Sequence, residues 1–129
     1  MPDPILLAVA GAHLTGQPLN HQLTDGGAEL VTTTTTSADY RLFALDTIPP
    51  KPGLQRVAEG EGAPIEVELW RLDPAFFGTF VAALPQPMAI GKVRLIDGKL
   101  VEGFLCEPIA TSSARDITES GGWRAHLRE

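Results

Sequence analysis

Cysteine is almost absent. Cys106 is the only one in 129 residues, which excludes an intrachain disulfide framework and leaves no second thiolate for a metal site. A reducing cytoplasm is the compartment that fits. Positive charge is also scarce: 10 Lys and Arg stand against 16 Asp and Glu, a net charge of -6. The basic residues are scattered, so a surface that tracks nucleic-acid phosphates is excluded. No apolar run is long enough to cross a membrane. The N-terminal one stops at Gly11 and has no basic segment before it, so it reads neither as a span nor as a signal peptide. Internal repeats and linkers are missing too. With 43% hydrophobic residues, the chain suits one domain over residues 1–129 with its own core.

What is present is a series of short strands with a few helices. Ile5-Leu6-Leu7-Ala8-Val9-Ala10 reads as a buried strand, and Gly11-Ala12 after it lets backbone come close to a ligand. His13 then falls at the strand's carboxyl end, a common place for a ligand crevice. Pro18, Leu19 and Leu23 predict a short helix closed by Gly26-Gly27. Strands are expected over 29–36 and 40–45, the first because a threonine run favours a pleated surface. Pro49-Pro50-Lys51-Pro52-Gly53 reads as a stiff turn, with extended structure resuming over 54–57.

Glu59-Gly60-Glu61-Gly62 reads as a turn into a further strand. There, alternation puts Ile65, Val67 and Leu69 on one face and Glu66 with Glu68 on the other, which predicts a solvated carboxylate face. Asp73 and Pro74 open a helix whose stripe of Phe76, Phe77, Phe80, Val81 and Leu84 is expected in the core. Asp97-Gly98 marks a two-residue hairpin between strands over 90–95 and 100–107. The chain closes with loop and short helix broken by Gly121-Gly122.

Taken together, Gly11-Ala12-His13-Leu14, Pro18-Leu19-Asn20-His21-Gln22-Leu23, Pro50-Lys51-Pro52-Gly53-Leu54, Gly103-Phe104-Leu105-Cys106-Glu107 and Ala114-Arg115-Asp116-Ile117-Thr118 with Gly121-Gly122-Trp123 resemble the C-terminal domain of allophanate hydrolase. The motifs run in order through nearly the whole chain. The resemblance implies a mixed α/β (α+β) fold of the γ-glutamylcyclotransferase-like type, a small β-barrel or sheet with a few short helices. It also implies a place in urea degradation: an amidase domain or subunit removes ammonia from allophanate, and this domain decarboxylates the resulting N-carboxyurea. A chain of 129 residues has no room for that amidase, so an amidase partner is implied and no amidase activity is expected alone. Cyclotransferases of this fold carry an acidic base near the end of the helix after a Trp-bearing strand. The matching stretch here, Val81 to Pro87, has no carboxylate, which disfavours cyclotransfer.

Loss of CO2 from a carbamate requires a proton for the leaving nitrogen and a grip on the carboxylate. An imidazole with an ordinary pKa near 6.5 can supply that proton near neutrality. The candidates are therefore His13 as general acid, with Glu107 orienting it or a urea amino group. Gly11, Ala12, Leu14, Asn20, Gln22 and Gly53 are expected around the urea portion, and Lys51 or Arg41 at the carboxylate. Each has a bland alternative. His13 could bond a buried backbone group, Lys51 could be solvated, and His21 reads as a local backbone contact. Arg115-Asp116 reads as a structural ion pair, and Cys106 as core. No metal is expected, because His13 and His21 lack i, i+4 spacing and His126 is remote. No cofactor is expected either, since a carbamate needs no electron sink.

Two competing readings remain. One is a non-catalytic assembly module, a homo-oligomer such as a dimer holding an amidase through exposed apolar residues including Trp123 and Leu127. The other is a small-amide binding protein of the cyclotransferase type. A pocket holding His13 beside Lys51 or Arg41 would favour catalysis.

Overall fold

The computed structural model describes residues 3–129. Strand β1 (Ile5–Val9) sits in the middle of a five-stranded sheet, as its continuous apolar run requires. It pairs antiparallel with β5 (Glu66–Leu72), Val9 opposite Glu68, and parallel with β7 (Leu100–Cys106), Ala8 opposite Gly103. The threonine-rich β2 (Glu29–Thr35) forms one edge against β5, with a register shift between Leu30 and Thr32. The other edge is β6 (Met88–Arg94), paired with β7.

A second sheet has the order β4 (Lys51–Arg56), β3 (Tyr40–Leu45), β8 (Arg115–Asp116). This is a mixed α/β fold of sheets and short helices, and the strands do not close into a barrel. The main core lies between the sheets around Leu7, Val9, Tyr40, Leu42, Trp70 and Leu72, while Ala8, Val67, Leu69 and Val101 pack on the far face of the larger sheet.

The helices are short. α1 is only His21–Thr24, because the Pro18 to Asn20 segment is used in tight turns before it. α2 (Pro74–Ala82) is capped as its sequence predicts, with Asp73 accepting from the Ala75 N–H at 3.1 Å. α3 (Pro108–Thr111) follows β7, and α4 (Trp123–Leu127) follows a 3-10 turn that ends at Gly121, φ 81°.

Several expectations need correction. The segment from Lys51 to Gly53 is strand, not turn: β4 is an edge strand, where a proline lacking an N–H is tolerated. The hairpin at Asp97-Gly98 has a three-residue loop. Leu95 receives the Gly98 N–H at 2.9 Å and donates to Lys99 O at 2.8 Å, with Gly98 at φ 90° in the left-handed position. Asp116 pairs with Arg41 at 2.7 Å and not with its neighbour Arg115. Trp123 is 4% exposed and so offers no surface for assembly, whereas Leu127 is exposed.

Glu68 is the largest departure from the predicted solvated face. It is 2% exposed. Its Oε1 accepts from the Thr15 N–H at 2.8 Å, the Thr15 hydroxyl at 3.1 Å and Trp70 Nε1 at 3.1 Å, and its Oε2 from Arg124 Nη1 at 3.3 Å. The period-two pattern placed it correctly on its strand. That face is covered by the loop after β1 and by α4, which a count of alternation cannot reveal.

Candidate active site

The site is built by the chain as it leaves β1. Gly11 lies so close to β4 that a Cβ there would fall 2.2 Å from the Pro52 ring. That contact, open only to glycine, brings the end of β1 against Lys51 and Pro52. The loop then folds on itself: Leu14 N–H donates to Gly11 O at 3.0 Å, Leu19 N–H to Ala12 O at 2.8 Å, and the Asn20 side-chain amide to His13 O at 2.9 Å. These bonds fix the backbone on both sides of His13.

The imidazole of His13 is 5% exposed. It stacks on Phe104, with centroids 5.0 Å apart and planes at 21°, and meets Phe80 edge-on at 5.2 Å. Nε2 donates to Gln22 Oε1 at 2.8 Å. Burial holds the imidazole below its ordinary value, the Gln22 bond partly opposes this, and the nearby Lys51 and His21 push the same way as burial. With its pKa held below 6.5, the ring is mainly neutral at pH 7, not the freely titrating group assumed from its residue type.

A cavity of about 550 Å³ opens beside this ring. Gly11, Ala12, His13, Gln22 and Lys51 reach it from the loop, α1 and β4. Phe76, Phe80 and Leu84 of α2 and its following turn form an opposing wall with Phe104 and Met88. Lys51 is 9% exposed and has no hydrogen-bond or ion-pair partner among the described residues. Its ammonium is thus uncommitted at the cavity, and an anion there would give it a charge-assisted partner.

Five expected site residues lie elsewhere. Leu14 is fully buried in the core. Asn20 is spent on the His13 carbonyl and shapes the loop without lining the cavity. Arg41 bonds Asp116 and the Glu61 carbonyl, donating to the latter at 2.6 Å, and stays outside. Gly53 packs under Cys106, where a Cβ would come within 2.5 Å of Sγ. Glu107 is exposed at the start of α3, its N–H donating to Pro87 O at 2.9 Å, so it cannot orient His13.

Sequence reasoning missed the aromatic wall and His21, which lines the cavity while Nδ1 donates to Pro18 O at 3.0 Å. The α2 stripe read as core was the available signal: only Phe80 of it is buried, and the half-buried remainder faces the cavity in part. Cys106 is buried as expected, and burial with the Glu107 charge pushes its thiol to about 11. Asp25 is the one acid lining the cavity among the described residues, and the end of α2 contributes none. No cluster of His, Cys, Asp and Glu suited to a metal ion occurs among the described residues.

Residues 5–128 match the family model of the allophanate hydrolase C-terminal domain. Urea amidolyase of Saccharomyces cerevisiae is 43% identical over 127 residues, covering 95% of this chain but only 7% of that protein. The fold superposes on Kluyveromyces lactis allophanate hydrolase with a TM-score of 0.93 at 38% identity, over 98% of this chain and 21% of that one. A uropathogenic E. coli-specific protein matches at 38% identity and a TM-score of 0.90, over 100% of this chain and 98% of its own.

Proposed function

The chain belongs to the allophanate hydrolase C-terminal domain family, and from that premise we propose that it decarboxylates N-carboxycarbamate, the dicarboxylate left when an amidase domain or subunit removes ammonia from allophanate. The expected N-carboxyurea is corrected, because that compound is allophanate itself and loss of ammonia cannot yield it. The observation that carries the reading is Lys51, whose ammonium has no ion-pair partner among the described residues, lining the same cavity as the His13 imidazole.

One carboxylate binds against the Lys51 ammonium, and the other takes hydrogen bonds from the Gly11-Ala12 backbone and the Gln22 amide. The arriving negative charge offsets Lys51 and favours the imidazolium, so binding draws a proton onto His13. The C–N bond then breaks. Its electron pair stays on nitrogen and takes the His13 proton, so that the N-carboxycarbamate dianion and one proton yield carbamate and CO2. The aromatic rings around His13 exclude water and strengthen these charge interactions.

Carbamates also lose CO2 unaided, so acceleration must be measured against that background. With an amidase generating N-carboxycarbamate from allophanate in place, adding the chain should raise the initial rate of CO2 release, and His13→Ala should remove most of the gain. General acid catalysis typically contributes about 10²–10⁴-fold. A rate equal to that of the amidase alone would refute the enzymatic reading and leave the assembly module in its place.

A further inference from the structure

N-carboxycarbamate carries two carboxylates, and Lys51 meets only one of them. The other is left with neutral donors, the Gly11-Ala12 backbone and the Gln22 amide. Taking a second anion out of water without a counter-charge is costly. The remaining titratable groups of the lining therefore matter. Among the described residues these are His13, which gives up its proton in the reaction, His21 and Asp25.

His21 is the first residue of α1, exposed at the edge of the cavity. Its Nδ1 meets Pro18 O at 3.0 Å, and a carbonyl only accepts, so the neutral ring is fixed with its proton on Nδ1 and its lone pair on Nε2. Nε2 has no hydrogen-bond partner among the described residues. The ring also stands close enough to His13 for its charge to act on that imidazole, as the charge of Lys51 does. Asp25 caps the other end of α1, and its carboxylate has no side-chain partner among the described residues. Residues at this i, i+4 spacing share a helix face, so His21 and Asp25 reach the cavity together. With a dicarboxylate bound, protonated Lys51, His13 and His21 balance Asp25 and the two carboxylates.

We propose that His21 is the second carboxylate-binding residue of this site: Nε2 takes up a proton as the dicarboxylate enters and donates to the carboxylate that Lys51 does not hold. The inference rests on the reading of Lys51 as the partner of the first carboxylate. Its consequence is selectivity. His21 makes the site prefer a dicarboxylate to a monocarboxylate of the same shape.

Malonate and malonamate separate these two charges. Both carry a methylene where the substrate has its nitrogen and are unreactive, and malonamate replaces one carboxylate by a neutral amide. Calorimetric titration of the intact chain at pH 7 should find malonate the tighter ligand, and His21→Gln should cut that preference about 5-fold, the size of an ion pair at an exposed position. Malonamate should bind the variant nearly as before. A His21 that only braced the loop through Pro18 would weaken both ligands alike. A preference absent from the intact chain, unchanged in His21→Gln, or lost through equal weakening of both ligands would overturn the inference while leaving Lys51 as the carboxylate partner. Indifference of both ligands to Lys51→Met would instead remove the reading on which it rests.

Discussion

At the scale of single residues, His13 and Glu68 carry the most consequence. The folded-state pKa of His13 lies below its ordinary value of 6.5 because the ring is buried. Between those two values the unfolded chain binds more protons, so this stabilising contribution is complete above about pH 6.5 and falls as pH drops through the folded value. Urea melts at pH 7 and pH 5 should therefore show an acid loss of stability that is smaller in His13→Phe. The same shift predicts that catalysis, expressed over background, falls in kcat/KM as pH rises through a value below 6.5. The fall in kcat should come at higher pH, where the bound anion holds the proton.

Glu68 separates a lock from an ion pair. Three donors meet Oε1 and Arg124 meets Oε2, so Glu68→Gln keeps an acceptor for Thr15 and Trp70 while losing the charge partner of Arg124. Glu68→Ala abandons all four donors and should cost about 3–5 kcal/mol in a chemical melt. Glu68→Gln should cost clearly less. Equal losses would mean that the Oε1 contacts contribute nothing.

At the scale of elements, the site depends on how closely β1 approaches β4. Gly11→Ala would drive a methyl into the Pro52 ring, which cannot rotate away. The expected cost is about 1–3 kcal/mol, with weaker binding of malonate, the unreactive analogue that carries a methylene in place of the nitrogen of N-carboxycarbamate, because Lys51 adjoins the displaced proline. Unchanged affinity would show that this approach does not set the position of Lys51.

The strands around this contact were legible to different degrees. β1 and β5 announced themselves by apolar run and alternation, and α2 by its Asp-Pro start. The start of β4 was hidden because three prolines within four residues dominate the local signal, while an edge position removes the penalty they usually carry. His13, Gln22 and Lys51 were visible as types in motifs. Which of Lys51 and Arg41 enters the cavity was not, because both lie in the same two-stranded pairing. Only the contact of Arg41 with Asp116, 75 residues away, decides it.

At the scale of the whole molecule, the chain spans only 7% of the curated urea amidolyase of Saccharomyces cerevisiae, yet it matches nearly all of the solved E. coli protein. Its described residues form both sheets, the short helices and the cavity lining. The 129 residues are accordingly expected to unfold as one cooperative unit, with coincident transitions by near- and far-ultraviolet circular dichroism. Separate transitions for the two sheets would show that the chain lacks a part of its own core.

The account turns on a neutral, buried imidazole that gains a proton when an anion meets Lys51. Titration of the His13 ring by NMR, free and saturated with malonate, measures that coupling directly. The predicted result is a pKa below 6.5 in the free chain and a rise on binding that Lys51→Met reduces. A His13 pKa that does not move when malonate binds would contradict the account.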